Sequence, residues 1–276
     1  MKKTDLVQLL QKLGIAPSKK LGQNFLVDDQ FLDWIIRYAD VKEGENILEI
    51  GPGFGALTER MVAAKANLTA IEFDRKLAEY LRGALVPKGL KLIEGDACKV
   101  KMEQVFGPGV DFRVISNLPY SAGTIVTANL LDLPLPPKEM IIMLQKEVAL
   151  RFAAQTGSDD YSALTARLSV VYDSAIAKTI PGDLFYPRPE IDSCIIRLTR
   201  KAEIPTFAER KVMSQLARTA FAHRRKKMFK QTAAVFSADR LTAAMTAAGV
   251  DPDIRAERVT PEEFLAMAKE LLKDTE

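Results

Sequence analysis

Between residues 44 and 117 the chain alternates short apolar runs with helix-patterned segments, and this alternation restricts the fold more than any other feature. The apolar runs are "NILEI", "NLTAIEF", "LKLIEGD" and "DFRVIS", and the helical patterns "ALTERMVAA" and "KLAEYLRGAL" stand among them. Parallel neighbours can be joined only through a crossover, so strands separated by helices predict a mostly parallel sheet wrapped by helices, an α/β fold. Three further runs, "EMIIMLQ", "LTARLSVVYD" and "SCIIRLTR", are expected to complete the sheet, the last two as an antiparallel pair. After "KAEIP" the strand pattern gives way to Ala-, Leu- and Met-rich helical patterns. There Thr260, Pro261 and Glu263 have the form of a capping box with proline at the first helical position. With 276 residues, 47% of them hydrophobic, two cores can be filled. The expected domains are residues 1–200, holding the sheet, and a small C-terminal helical domain, 206–276.

The sharpest local signal is "ILEIGPGFGALTE", a strand that turns through Gly51, Gly53 and Gly55 into a helix. Glycines at such a turn let backbone approach a ligand closely, as in nucleotide-binding corners. Glu72, in "AIEFD", follows at the end of the next strand, where a carboxylate can accept hydrogen bonds from ribose hydroxyls. Asp96 follows a third strand in "IEGDA". Dinucleotide binders usually carry Gly-x-Gly-x-x-Gly, whereas this chain has Gly-x-Gly-x-Gly preceded by Glu49. Three acidic positions at successive strand ends suit an adenosyl group with an amino-acid tail better than a pyrophosphate, so S-adenosylmethionine is the expected ligand. Asp96 alone reads equally well as a solvated turn carboxylate.

A fourth strand ends on "SNLPY", residues 116–120. Pro119 cannot continue a central ladder and biases Leu118 towards extended geometry, which gathers the Asn117 amide, backbone carbonyls and the Tyr120 ring at one corner. Such acceptors can grip the hydrogens of an exocyclic amine, whose lone pair is otherwise delocalised into the base, while the tyrosine stacks on the base face. Taken alone, the same residues also describe an Asx-type turn with a packed tyrosine.

The net charge of +3 does not by itself announce a nucleic-acid partner, but one basic run, "HRRKKMFK", interrupts an apolar pattern and is bracketed by Phe221 and Phe229. Arg224, Arg225, Lys226 and Lys227 are therefore candidate phosphate contacts, against the alternative of a solvated helix face. His223 is the only histidine, which removes His-dependent triads and most zinc arrangements. Cys98 and Cys194 form no Cys-x-x-Cys, and a reduced cytoplasm is expected. The start "MKKTDLVQLLQKLG" lacks a signal-peptide core, and no run of about 18 apolar residues occurs, so no membrane partner is expected.

The ordered set "KKLGQNFLVD", "EIGPGFGALTE", "IEFD", "EGDA", "NLPY" and "FYPRPEIDSCIIRL" resembles the ribosomal-RNA adenine dimethyltransferases of the KsgA (RsmA) and Dim1 family, from about Leu21 to Leu198. The resemblance implies a class I S-adenosylmethionine-dependent methyltransferase with a Rossmann-like sheet. Its implied activity places two methyl groups on the exocyclic N6 of two adjacent adenosines near the 3′ end of 16S rRNA in the small ribosomal subunit. It further implies cofactor contacts at Asn24, Leu26, Gly51, Glu72, Asp96 and Asn117. Target-base contacts fall on Asn117, Leu118, Pro119 and Tyr120, with Phe185 as a second aromatic wall. Read without the family, "GQNFLVD" is also an ordinary helix start capped by Asp28, and Phe185-Tyr186 is also simple core. A monomer is expected. The rival readings are a large-subunit rRNA methyltransferase of the antibiotic-resistance type and a non-enzymatic ribosome-assembly or transcription factor on the same fold. An NAD-dependent oxidoreductase would need a catalytic acid that the motifs do not supply.

Overall fold

The computed structural model describes residues 3–18, 21–223 and 226–273. The chain divides into two compact units. One holds Met1–Leu130, Pro137–Ala149 and Ile176–Leu198; the other holds Leu131–Pro136, Leu150–Ala175 and Thr199–Glu276. The helical unit therefore gathers two earlier segments besides the chain beyond residue 198.

The strands are β1 (Phe25–Leu26), β2 (Asn46–Ile50), β3 (Asn67–Glu72), β4 (Lys91–Glu94), β5 (Arg113–Asn117), β6 (Glu139–Gln145), β7 (Tyr172–Ile180), β8 (Phe185–Tyr186) and β9 (Ser193–Arg200). In the first unit, helices α1 (Lys3–Leu13), α2 (Asp29–Ala39), α3 (Ala56–Ala63), α4 (Arg75–Ala84), α5 (Glu103–Phe106) and α6 (Gly123–Leu131) join or flank them. Seven strands form one sheet in the order β4-β3-β2-β5-β6-β9-β7, while β1 and β8 pair separately, antiparallel. β2 pairs parallel with both β3 and β5, and β5 pairs parallel with β6. The strand order runs outward from β2 in both directions, so β2 and β5 border the switch point where ligands of open α/β sheets bind, beyond the carboxyl ends of the strands. Ile47, Leu48 and Ile50 of β2 and Val114 and Ile115 of β5 are all buried, as expected for strands covered on both faces.

The opposite, amino end of this sheet is closed by charge. Arg113, the first residue of β5, donates to Glu45 at 2.7 Å and to Glu139 at 2.9 Å, and Arg197 donates to Glu139 as well. Buried ions are retained only when paired and hydrogen-bonded in this way, and here they fix the register of β5, β6 and β9 at the end away from the glycine turn.

One segment departs from the sequence expectation. The run "LTARLSVVYD" is mostly helix, α8 (Ala163–Ser169), with strand resuming only at Tyr172. Ser162 caps the helix by accepting from the Thr165 N–H at 3.3 Å, and Leu, Ala and Arg are good helix formers. β7 itself is an edge strand whose central residues are exposed, so it lacks the buried apolar run that marks the others.

The helical unit contains α8, then α9 (Phe207–Phe221), α10 (Met228–Phe236), α11 (Ala238–Ala248) and α12 (Pro261–Lys273); α7 (Lys146–Phe152) runs into it. Thr260 and Glu263 form the expected reciprocal bonds at 2.8 and 3.2 Å, so α12 starts where the sequence placed it. Thr206 and Glu209 make a second capping box that starts α9. Phe221 packs between Tyr161 and Phe264, and the Tyr161 hydroxyl donates to the Val259 carbonyl at 3.0 Å. Arg210 is buried and donates to the carbonyls of Leu131, Leu133 and Pro134, which ties the 131–136 segment to α9.

Candidate active site

The carboxyl ends of β2, β3, β4 and β5 open into a cavity of about 270 Å³ within the first unit. Asn24, Leu26, Gly51, Glu72, Asp96, Asn117, Leu118, Pro119 and Tyr120 all line it. Residues that lie up to 96 positions apart in sequence are thus brought to one wall by the parallel topology. Phe185 is not among them. Its ring is 1% exposed and lies in the core, because the alternation of β8 turns it inward opposite Leu26 while Tyr186 faces the other way, against the cluster under α1. The simple-core reading of Phe185 describes its place here, and no second aromatic wall is offered at that position.

The glycine turn shows why these positions exclude side chains. Gly51 has φ of 66°, and a Cβ there would stand 2.8 Å from Pro119 Cγ. Gly53, with φ of 60°, would place a Cβ 3.0 Å from the Phe25 ring. Both positions combine a left-handed backbone with close approach, the two conditions that only glycine meets. The turn, the "NLPY" corner and the "GQNFL" segment are therefore in mutual contact.

Glu72 anchors this arrangement. One carboxylate oxygen accepts the Gly53 N–H at 3.2 Å and the other accepts the Asp74 N–H at 2.8 Å. Burial pushes its pKa up to about 7, opposed by those two backbone donors. Glu49, 2% exposed, accepts from the Thr58 hydroxyl at 2.6 Å; burial, with repulsion from Glu72 as a smaller contribution, lifts it to about 8. Asp96 behaves oppositely. Its side chain accepts the Cys98 N–H at 2.9 Å, and that bond, together with Lys99 nearby, lowers its pKa. Among the described residues the cavity wall carries Glu49, Glu72, Asp74 and Asp96 and no Lys, Arg or His. With Asp96 favoured as the anion, Glu49 and Glu72 raised towards neutrality, and no basic side chain among the described wall residues, such a site suits a ligand carrying a single positive charge and offers no counter-charge to a pyrophosphate.

At the β5 corner, Asn117 donates its side-chain amide to the Asn24 carbonyl at 3.1 Å, which leaves Oδ1 as an acceptor. The Pro119 carbonyl is spent on the Ala122 and Gly123 N–H groups that start α6. No described residue donates to the Leu118 carbonyl, whose own N–H is bound to Met143. Asn24 is held from the other side through its neighbour, since Gln23 bonds Asp74 at 3.1 Å. Asp28 does cap α2, accepting the Phe31 N–H at 2.7 Å, so the helix-start reading of "GQNFLVD" and its place at the cavity hold together.

A family model for ribosomal RNA adenine dimethylases matches residues 16–273. The chain belongs to the ribosomal RNA adenine dimethylase family. Relatives include the ribosomal RNA small subunit methyltransferases A of Geobacillus sp. (strain WCH70), 34% identical over 96% of this chain and 94% of that protein, and of Myxococcus xanthus, 35% identical over 95% and 94%. Among solved structures, a dimethyladenosine transferase from Plasmodium falciparum superposes with a TM-score of 0.70 at 24% identity, covering 91% of this chain and 98% of that one. The 23S rRNA methyltransferase ErmE gives 0.63 at 26% identity, covering 90% and 99%. The fold is that of a class I methyltransferase, as the strand order and the switch-point cavity indicate.

One cavity residue of this dimethylase-family chain escaped the sequence reading. Phe73 follows Glu72 and is 57% exposed on the wall, an apolar ring turned outward at a strand end where burial is the rule. Glu49, one of the three acidic strand-end positions expected from sequence, is a buried β2 residue held by the Thr58 hydroxyl. In the basic run, Lys226 and Lys227 are exposed and lie in the connection between α9 and α10 rather than along a helix face; Lys227 pairs with Asp253 at 2.7 Å. Arg224 and Arg225 lie outside the described residues.

Proposed function

We propose that this chain transfers methyl groups from S-adenosylmethionine to the N6 amines of two adjacent adenosines near the 3′ end of small-subunit 16S rRNA, giving N6,N6-dimethyladenosine during ribosome assembly. The observation that carries the reading is the acid-only cavity bordered by an acceptor corner at Asn117. S-adenosylmethionine supplies a methyl group already activated by its positive sulfur, so the chain needs no strong general base.

The residues present fit that cofactor. Glu72 retains acceptor capacity for ribose hydroxyls beyond its two backbone donors, and Gly51, where a Cβ would meet Pro119, lets the glycine turn and the "NLPY" corner close on one wall. Asn24, Leu26 and Asp96 complete the wall, and Phe73 offers an apolar face beside Glu72. Asn117 Oδ1 and the Leu118 carbonyl are the two uncommitted acceptors for an exocyclic amine. Gripping its hydrogens, two in the first transfer and one in the second, draws nitrogen electron density out of the ring and towards the reacting carbon, an electrostatic effect that strengthens as the bond forms; each transfer releases one nitrogen-bound proton to solvent. Tyr120 supplies the stacking face.

A base taken out of its stack costs a few kcal/mol, so affinity has to come from backbone contacts elsewhere. Residues 206–276 supply them in this reading, with Lys226 and Lys227, and their neighbours Arg224 and Arg225, at RNA phosphates. The enzyme works as a monomer in the cytoplasm, where subunits are assembled; no helix among the described residues is long and apolar enough to cross a membrane. The large-subunit alternative is less favoured, because the relatives matching almost the whole chain carry small-subunit names. Primer extension through small- and large-subunit rRNA from cells with and without the gene tests this directly. A block at paired adenosines of the small-subunit RNA is expected, and a block confined to the large-subunit RNA would overturn the assignment.

A further inference from the structure

Tyr120 is held at two ends. Its backbone lies against the "GQNFL" segment, where a Cβ on Gly22 would come within 2.9 Å of the Tyr120 nitrogen. Its hydroxyl is hydrogen-bonded to the hydroxyl of Ser193, the first residue of β9. Ser193 is fully buried, and 73 residues separate it from its partner. In the sheet β6 lies between β5 and β9, so the tyrosine side chain reaches from the end of one strand past a second to the start of a third. The start of β9 is itself fixed there: the Lys146 N–H, just beyond the end of β6, donates to the Asp192 carbonyl at 2.9 Å. A buried serine hydroxyl needs a partner, and here the partner is the tip of the ring that borders the cavity.

We propose that Ser193 is a positioning residue for the target base: by holding the hydroxyl end it fixes the direction of the Tyr120 ring, so that the stacking group is in place before substrate arrives. The proposal rests on the adenosine-methylating reading of the same corner. A tyrosine anchored only at its Cα samples several rotamers, and stacking would then have to select one at each encounter. The hydroxyl bond to a rigid strand removes that freedom in advance, which places the ring within the narrow tolerance that methyl transfer demands. Ser193 touches neither the cavity nor any reacting atom, so its effect passes through Tyr120 alone.

A double-mutant cycle with Ser193→Ala and Tyr120→Phe tests this, read as single-turnover transfer to small subunits that lack the modification. Each single variant is expected to slow transfer by roughly three- to tenfold, the range of one net hydrogen bond. Cofactor affinity should stay within about twofold, because neither hydroxyl borders the carboxylates that hold it. The double variant should be no slower than the worse single one, since both changes cut the same bond. A readout independent of activity comes from protein carrying ¹³Cζ-labelled tyrosine, in which Tyr120→Phe identifies the Tyr120 signal. Ser193→Ala should shift that signal and leave the other five tyrosines in place. If Ser193→Ala disturbs folding, Tyr120→Phe reports the same tether from the cavity side. Multiplicative losses in the double variant, or an unmoved Tyr120 signal, overturn the proposal. Failure of wild-type protein to methylate small subunits would instead refute the functional reading, and the carbon signal would still decide the tether.

Discussion

Replacing Glu72 by Gln separates what this residue does for the fold from what it does for the ligand. The carboxylate is 5% exposed, and its pKa of about 7 against an ordinary 4.5 means that keeping it ionised costs the folded protein about 3 kcal/mol. The sign follows from linkage. A carboxyl whose folded pKa is raised contributes its full stability below about pH 4.5 and loses it as pH rises through about 7. Glutamine never pays that charge cost, but its NH₂ must face one of two donors, the Gly53 or the Asp74 N–H, and a buried donor left unpaired costs about 1–3 kcal/mol. The two effects nearly cancel at pH 8, so the melting temperature of Glu72→Gln should stay close to that of the parent. Ribose hydroxyls, in contrast, lose a charged acceptor worth about 1.5–3 kcal/mol, so calorimetric titration with S-adenosylmethionine should show at least tenfold weaker binding. The parent should also lose affinity on acidification below about pH 7, by up to tenfold per pH unit, because a protonated Glu72 accepts poorly; the variant should lose this dependence. Parent-like affinity in the folded variant, or parent binding that is flat between pH 6 and 8, would refute the role given to Glu72.

Other expectations follow from the same geometry. Asn117→Ala should depress single-turnover transfer by the order of 10²-fold or more, with a smaller loss of cofactor binding, and a near-normal rate would mean that the Leu118 carbonyl suffices. Gly51→Ala should weaken cofactor binding and lower the melting temperature, because its Cβ meets Pro119 at 2.8 Å in a left-handed backbone; unchanged values for both would contradict the close approach. Exchanging Arg224, Arg225, Lys226 and Lys227 together for Gln should flatten the salt dependence of subunit binding by roughly 0.7–0.9 log unit per lost phosphate contact, with cofactor affinity unmoved. An unchanged slope would place the RNA surface elsewhere.

The parts of the site that sequence made legible are those fixed by backbone. Gly51, Glu72, Asp96 and Asn117 each stand at the end of an apolar run, and a parallel sheet has only one place to put such ends, so reading the strands located the cavity. What could not be read depends on which way a side chain turns. Phe185 occupies a motif position, but the two-residue strand β8 gives no pattern from which to tell its inward face from its outward one. The Ser193 hydroxyl is invisible for the complementary reason, since a buried serine at a strand start has no signature until its partner is known. "LTARLSVVYD" was expected as strand because its apolar content is high, whereas the Ser162 cap and helix-forming residues decided for α8. Glu49 was legible as an acidic strand end, but its burial and its bond from Thr58 were not.

Whether this chain dimethylates small-subunit rRNA is decided by incubating the purified protein with S-adenosylmethionine and small ribosomal subunits from a strain that lacks the modification, then digesting the RNA and weighing its nucleosides. The expected product is N6,N6-dimethyladenosine, two residues per subunit, at adjacent positions near the 3′ end. Subunits that bind the protein yet yield only unmodified adenosine, or methyl groups on any other base, would contradict it.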